Sequence, residues 1–195
     1  MNSIFLWPII SILVLPIGWL EYKLLQKSRW GVLLGILNLV VLYGPWIIVV
    51  YCSFNQPNIS LTTVIGFGMV IIALILWRKA TPLLFKARGQ VMTVPKNLVA
   101  EGPYRWTRHP LYVGHVLLIS GGMLASGALE IFLETPILWI IAAIASKYEE
   151  KTRLEPLFGE TFRQYQAQIP FLLPFWAWAI WGIIYLAVAI RLFLF

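Results

Sequence analysis

Long apolar stretches separated by short polar ones dominate the chain. A helix needs about 20 mainly apolar residues to cross the hydrocarbon core of a bilayer. Six stretches qualify as candidate spans: 4–20, 31–52, 59–77, 111–128, 131–146 and 171–194. The fourth and fifth are joined by a very short turn and the fifth is short, so we expect a helical hairpin that crosses the membrane fully or in part. The pattern predicts an all-α, polytopic transmembrane bundle of about six spans in a single membrane domain.

Basic residues are confined to three of the polar stretches. The segments 21–30, 78–110 and 147–170 contain every Lys and Arg except Arg191. Six alternating spans place these three segments on one side of the membrane, and the positive-inside rule assigns that side to the cytoplasm. Both termini are then expected outside. The first apolar run lacks the basic region and cleavage site of a signal peptide, so we expect it to be retained as a helix.

Composition agrees with a lipid environment and narrows the chemistry. The chain has 195 residues, of which 60% are hydrophobic and 12% charged, with a mean hydropathy of +0.81, whereas soluble domains carry about 25% charged residues. It contains one Cys, two His and no Asp. An internal disulfide, a zinc site and an aspartate-based magnesium site are therefore not expected. The net charge of +7 flanks apolar spans, which points to anionic lipid headgroups rather than nucleic acid as partners.

Two polar segments contain most of the side chains that are suited to chemistry. Residues 101–114 and 148–165 flank the predicted hairpin, which returns the chain to the same side of the membrane. Together they supply guanidinium, imidazole, phenol and carboxylate groups. Such a set suits a zwitterionic ligand, because carboxylates bind an ammonium group while Arg or His binds a carboxylate. We expect the catalytic core within 78–170, preceded by N-terminal helices (1–77) and followed by an additional C-terminal helix (171–195).

The sharpest pattern is Arg108-His109-Pro110-x-Tyr112-x-Gly114. Pro110 fits the first turn of a helix, where a missing N–H costs nothing, so His109 is expected at or near the N-cap of the fourth helix. The unpaired N–H groups and the dipole at a helix start favour an anion. Gly114 leaves room for a ligand or for a neighbouring helix. The alternative is that Arg108 and His109 only anchor the helix among the headgroups.

The two polar segments resemble the signature of a family of integral membrane methyltransferases. The similarity is to the isoprenylcysteine carboxyl methyltransferases and their relatives, the phospholipid methyltransferases, and it covers about residues 78–174. Phe162 stands where the family pattern has a Tyr, so a role for that hydroxyl is not carried over. The span 171–194 is absent from many relatives. The matching positions are Gly102-Pro103-Tyr104-x-x-x-Arg108-His109-Pro110-x-Tyr112-x-Gly114, then Glu149-Glu150, Phe158-Gly159, Tyr165 and Pro170.

This resemblance implies transfer of a methyl group from S-adenosylmethionine to a lipid-like or prenyl-like acceptor, with S-adenosylhomocysteine as the product. A carboxylate acceptor is favoured and an amine is possible. Arg108 and Glu150 map to catalytic roles, and Arg88 and Arg105 are further candidates for binding the acceptor. No metal is implied. The positions that map to cofactor binding are Tyr104, His109, Pro110, Tyr112, Gly114, Glu149 and Glu150.

Three other interpretations stay open at this level. Glu149 and Glu150 could form a solvated helix end paired with neighbouring Lys or Arg residues. Membrane sterol and steroid reductases, which use NADPH, carry a similar stretch, but Leu111 stands where they have Asn and His115 where they have Glu. A non-catalytic membrane subunit is the third hypothesis, and a protein that bound neither cofactor would favour it.

Two features outside the motifs carry further expectations. Gly66 and Gly68 lie within an apolar span with no strand before it, so we expect them to serve helix packing rather than dinucleotide binding. The last span is rich in aromatic residues. It is expected either to form a wall through which lipid reaches the site or simply to anchor the C-terminal segment.

Overall fold

The computed structural model describes residues 60–88 and 97–194, apart from the side chain of Arg88, and the predicted spans 4–20 and 31–52 lie outside these residues. All the regular elements in the described part are helical, which confirms the all-α prediction. A 3₁₀ turn forms at Gly102–Arg105 and a π-helical turn at Glu150–Leu154. The α-helices, numbered from the first described one, are α1 (Leu61–Arg88), α2 (Pro110–Ser126), α3 (Leu129–Phe132), α4 (Thr135–Glu149), α5 (Glu155–Gln168) and α6 (Phe175–Leu194).

The helices of the described part fit a membrane environment. Three helical runs are long and apolar enough to cross a bilayer, namely Leu61–Ala87, Leu129–Gln168 and Phe175–Leu194. In the second run the apolar residues come first, and the charged stretch begins at Lys147. Helix α2 is a shorter apolar helix of 17 residues, at the lower end of the length that spans a bilayer. The chain is therefore a helical integral membrane protein, and the count of six spans stays a prediction.

Helix α1 is longer than the sequence pattern predicts. It continues to Arg88, so the predicted end at residue 77 is wrong. Hydropathy falls where charged residues begin, but Arg78 and Lys79 are exposed and do not interrupt the backbone hydrogen bonding of the helix. Positive charges near the last turn also suit the negative end of the helix dipole. The helix thus extends past its apolar part toward the polar segment.

The predicted hairpin of the fourth and fifth spans is present. Helix α2 ends at Gly127, which has a φ of 78° that glycine adopts without a steric cost. The Ala128 N–H donates to the carbonyl of Met123 at 2.9 Å, which satisfies a carbonyl of the last helical turn. The single turn α3 follows, and α4 then runs back with its apolar face in the same core as α2. Its observed start at Thr135, rather than 131, reflects this extra turn.

Helices α1 and α2 run antiparallel with their backbones in contact. A Cβ added at Gly66 would meet backbone atoms of Gly121 and Ala125, and one at Gly121 would meet the carbonyl oxygen of Gly66 at 2.7 Å. Small residues allow this approach, on which helix association in lipid depends. The predicted packing role is confirmed for Gly66. A Cβ at Gly68 would have no atom within 4 Å, so Gly68 takes no part in this contact.

Helix α6 begins after Pro174 rather than containing it. The N–H groups of Ala177 and Trp178 donate to the carbonyl of Pro174 at 3.0 and 3.2 Å. The prediction that Pro174 lies inside a span is therefore wrong. Proline has no N–H to donate to a helix interior, so it is favoured just before or at a helix start.

The aromatic face of α6 packs on the hairpin. The ring centroids of Trp139 and Trp178 lie 4.8 Å apart, and those of Trp181 and Tyr185 lie 5.2 Å apart. The Tyr185 hydroxyl donates to the carbonyl of Leu133 at 3.1 Å. These contacts support the anchoring role that the sequence left open for this helix.

Candidate functional site

The first polar segment turns sharply into helix α2. Gly102, with a φ of 58°, opens the turn Gly102–Arg105. His109 is then the N-cap residue of α2, and Pro110 is the first helical residue, which confirms the predicted position of this pair. The N–H of His109 donates to Thr107 Oγ1 at 3.2 Å. The backbone of His109 is thereby fixed at the point where the helix begins.

Glu150 stands at the centre of a buried cluster of charges. Its side chain is only 2% exposed, and its Oε1 accepts a hydrogen bond from His109 Nε2 at 3.0 Å and lies 3.2 Å from Arg108 Nη1. Its Oε2 lies 3.2 Å from both Lys147 Nζ and Gln166 Nε2. The interpretation as a solvated helix end therefore does not hold for Glu150. Removing one partner of such a buried ion pair commonly costs about 3–5 kcal/mol, so this cluster joins the two polar segments firmly.

Glu149 has a different environment from its neighbour. Its Oε2 lies 4.0 Å from His109 Nδ1, and its side chain is 22% exposed. The two carboxylates therefore face opposite nitrogens of one imidazole. The backbone widens into the π-helical turn directly after Glu149, and such turns frequently occur at functional sites.

A second backbone irregularity, at Gly159, changes the direction of helix α5. Gly159 has a φ of 48° and a ψ of −120°, a combination that side chains other than hydrogen strongly disfavour. The helix kinks there, directly after Phe158. The Phe-Gly pair of the motif thus marks a backbone bend, and the glycine is required by its conformation.

Backbone contacts fix the end of the second segment onto the first. The Tyr165 hydroxyl donates to the carbonyl of Tyr104 at 2.6 Å. The N–H of Arg108 donates to the carbonyl of Pro170 at 3.0 Å. Tyr165 and Pro170 are motif positions to which the sequence assigned no contact, and here both hold the first segment in place.

The ring of Phe171 supports the same cluster. Arg108 Cζ lies 5.2 Å and Lys147 Nζ 4.4 Å from its centroid, distances at which a cation is attracted to an aromatic face. The His109 ring meets it edge-on at 5.5 Å. Sequence reasoning missed these contacts of Phe171, whereas Lys147 was among the neighbouring basic residues that it offered as partners of the two glutamates. The one signal was the position of Phe171 directly after the motif residue Pro170.

A cavity of about 350 Å³ lies between the two polar segments. This volume falls within the range of about 300–1,000 Å³ that is usual for small-molecule sites. Of the predicted cofactor-binding residues, five line the cavity: Tyr104, His109, Pro110, Tyr112 and Glu149. Arg108, predicted to be catalytic, lines it too.

Similarity to known proteins identifies the family of the chain. A family model described as phospholipid methyltransferase matches residues 61–161, just over half of the chain. The match takes in α1, the first polar segment, the hairpin and the second polar segment up to residue 161. The chain belongs to the phospholipid methyltransferase family. Methanethiol S-methyltransferase from Crocosphaera subtropica is 30% identical to it over 131 residues.

That alignment covers 67% of this chain and 43% of the relative, so the chain spans less than half the length of the curated relative it matches. No solved structure gives a significant match. Family membership confirms the resemblance from the two motifs.

Some of the predicted site residues lie away from the cavity lining in the described part of the chain. Glu150 is buried behind it among its four partners. A Cβ at Gly114 would lie 2.5 Å from the indole nitrogen of Trp77, so this glycine makes room for a neighbouring helix. Arg105 is exposed and outside the lining. The side chain of Arg88 lies outside the described residues.

Other lining residues were not assigned by the sequence. Arg153, from the π-helical turn, and Phe158, before the kink, both face the cavity, as do Tyr165 and His115. Arg153, Phe158 and Tyr165 belong to the second motif region. Their spacing from Glu149 could not show which way their side chains point, because the π-turn and the kink alter the helical register. His115 directly follows the first motif.

Proposed function

We propose that this family member transfers a methyl group from S-adenosylmethionine to a lipid-like or prenyl-like acceptor at the cytoplasmic face of the membrane. One observation carries the proposal: the two motif segments, far apart in sequence, are joined through Glu150 and line a single cavity. Family membership supports methyl transfer. The apolar helices around the cavity support an acceptor that arrives from the bilayer, and the basic segments support the cytoplasmic side.

The donor set of the cavity fits S-adenosylmethionine. Glu149 offers a carboxylate for the ammonium group of the methionine part, and Arg153 offers a guanidinium for its carboxylate. Arg108 Nε is buried and has no hydrogen-bond partner within the described part of the chain. A buried N–H without a partner costs about 1–3 kcal/mol, and a ligand carboxylate would satisfy it. Phe158 adds an aromatic face to the lining.

When bound, S-adenosylmethionine supplies a methyl group activated by its sulfonium charge. The protein's share of the work is then alignment of the acceptor and removal of water from it. Arg108 is well placed for alignment, because Glu150 and the Phe171 ring hold its guanidinium from two sides. Such fixed donors act without reorganisation at the moment of reaction.

More than one chemical group is a candidate for the methyl acceptor. The sequence favours a carboxylate, oriented by Arg108, with an amine as the alternative. The name of the relative adds a second candidate function, methylation of a thiol. Glu150, to which the resemblance gives a catalytic role, has four hydrogen-bonding or ionic partners in the structure, which makes it a positioning residue in this proposal.

Calorimetry tests the proposal against the reductase alternative. Purified protein in nanodiscs is titrated with S-adenosylhomocysteine and, separately, with NADPH. We expect saturable binding of S-adenosylhomocysteine and none of NADPH. Binding of NADPH alone would support a reductase, and binding of neither would support a non-catalytic subunit.

A further inference from the structure

Phe171 lies in the short connection between helices α5 and α6, residues 169–174. Thr107 Oγ1 donates to the carbonyl of Phe171 at 3.5 Å, which ties this connection to the first polar segment. The next residue, Leu172, is 4% exposed and belongs to the hydrophobic core. The ring of Phe171 therefore has a defined place beside the first polar segment.

Two cations share one carboxylate at this place. Glu150 Oε1 lies 3.2 Å from Arg108 Nη1, and its Oε2 lies 3.2 Å from Lys147 Nζ. Both positive groups also lie over the ring of Phe171, whose negative face attracts a cation. The ring is thus a second partner for each of them. Because the Arg108 side chain is only 9% exposed, little water could take over this role for its guanidinium.

The guanidinium of Arg108 needs more than its ion pair to keep one orientation. A contact through Nη1 alone does not fix the plane of the group, whereas a second contact on its Cζ restricts rotation out of that plane. Arg108 lines the cavity, and its buried Nε has no hydrogen-bond partner in residues 60–88 and 97–194. With the plane fixed, this N–H keeps one direction and is ready for a ligand.

Helix α6 determines where the connection 169–174 lies. The N–H of Trp178 donates to the carbonyl of Pro174, the last residue of the connection, at 3.2 Å. The ring of the same tryptophan packs on Trp139 of α4, with centroids 4.8 Å apart. The packing of α6 on the hairpin therefore reaches the site through the connection that carries Phe171.

We propose that Phe171 is a positioning residue for methyl transfer, which holds the Arg108 guanidinium in the orientation that aligns the acceptor, and that helix α6 acts on the site through this ring. The inference rests on the proposed function, which assigns the alignment of the acceptor to Arg108. It gives the C-terminal helix a part in turnover in addition to anchoring.

The hold on Arg108 is tested without turnover, by ¹⁵N relaxation of arginine side chains in labelled protein. The Nε–H signal of Arg108 is assigned by its loss in Arg108→Lys. We expect a rigid Nε–H in wild type and in Phe171→Tyr, which keeps an aromatic face. In Phe171→Leu, which keeps an apolar side chain without the ring, the order parameter should fall clearly. An order parameter in Phe171→Leu equal to that of wild type would overturn the proposal.

Fluorinated phenylalanines at position 171 show whether this hold matters for turnover. Fluorine withdraws electron density from the ring face and changes the shape of the ring little, so a purely structural role would not respond. The rate of label transfer from tritiated S-adenosylmethionine is measured with a membrane lipid extract and octanethiol. We expect the rate to fall stepwise from phenylalanine to 4-fluoro- and 3,4,5-trifluorophenylalanine, by about 2–30-fold in total, with unchanged affinity for S-adenosylhomocysteine.

The matched control is the same series at Phe175, which is 88% exposed. We expect this series to leave the rate unchanged. A flat series at position 171, or an equal fall at both positions, would overturn the role of Phe171.

A pair of tryptophans tests the part of helix α6. We expect Trp178→Leu, which loosens the packing on Trp139, to lower the order parameter of the Arg108 Nε–H and the rate, both by less than Phe171→Leu does. Trp176→Leu on the same helix is the control, because Trp176 is 64% exposed. Should Trp178→Leu not fold, Trp178→Phe replaces it. An unchanged Arg108 signal and rate in the Trp178 variant would overturn the part assigned to α6.

Failure of the inference differs from failure of the proposed function. Wild type that binds no S-adenosylhomocysteine, or transfers no label, contradicts the proposed function and this inference with it. Wild type that transfers label, while the Phe171 variants keep its rate, contradicts the inference alone.

Discussion

At the scale of single residues, two adjacent glutamates have separate tasks. Glu150 is buried among Arg108, His109, Lys147 and Gln166, whereas Glu149 opens onto the cavity. A buried carboxylate with every oxygen engaged positions its partners. The Glu149 carboxylate is partly exposed and lines the cavity, so it can contact a ligand there. Substitution by glutamine, which keeps the shape and removes the charge, separates these tasks.

We expect Glu150→Gln to lower the free energy of unfolding by about 3–5 kcal/mol, because the Arg108 guanidinium, whose side chain is 9% exposed, loses its counter-charge. Glu149→Gln should leave stability nearly unchanged and weaken binding of S-adenosylhomocysteine by about 1.5–3 kcal/mol, the scale of a charge-assisted hydrogen bond. Thermal unfolding and calorimetry on both variants measure the two effects. The exposed Glu160→Gln is the control for both. Equal stability loss at both positions would refute the division of tasks.

Predictions for single residues were most accurate where the local backbone geometry determines the structure. Pro110 sets a helix start, so His109 could be placed at the N-cap. The resemblance mapped both Glu149 and Glu150 to cofactor binding, and the sequence could not show that only Glu149 lines the cavity. The contacts of Phe171 with Arg108 and Lys147 depend on the tertiary fold. The spacing of these residues along the chain therefore does not predict the contacts.

At the scale of elements, hydropathy located the helices but misplaced several ends. Helix α1 runs to Arg88 because charge marks the membrane boundary and not the end of hydrogen bonding. Hydropathy contains no signal for the π-turn at Glu150–Leu154 or for the bend at Gly159. The packing of helix α1 was predicted more accurately than the helix ends, because glycines inside an apolar span usually indicate a close contact between helices.

The α1–α2 contact gives a matched pair of substitutions. We expect Gly66→Ala to destabilise the protein by about 1–3 kcal/mol, because its Cβ would meet the backbone of α2, a case of overpacking. Gly68→Ala adds a methyl group in open space and should be neutral or slightly stabilising, since alanine is the better helix former. Thermal unfolding in detergent measures both. A larger loss in Gly68→Ala would mean that the helices do not pack as described.

At the scale of the whole molecule, the hairpin sets which side of the membrane holds the site. Glu130 and Lys151 are both exposed and lie at opposite ends of the α3–α4 run. The 21 residue steps between them, most of which are helical, extend about 31 Å at 1.5 Å per residue, close to the thickness of the hydrocarbon core. The charge bias predicts that Lys151, and with it the cavity, faces the cytoplasm.

Cysteine labelling tests this orientation. In a Cys52→Ser background, Lys151→Cys should react with an impermeant maleimide only from the cytoplasmic side. Glu130→Cys should react only from the outside. The reverse pattern would place the cavity on the outer face, and labelling of both positions from one side would show that the hairpin does not cross.

Methyl transfer by the purified protein tests the central claim most directly. Wild type and His109→Ala in nanodiscs are supplied with tritiated S-adenosylmethionine, a membrane lipid extract and octanethiol, and the label in the organic phase is counted. The account predicts label transfer by wild type and at least about a tenfold lower rate in the variant, since one charge-assisted hydrogen bond contributes about 1.5–3 kcal/mol. No transfer above the protein-free background, or an equal rate in the variant, would contradict it.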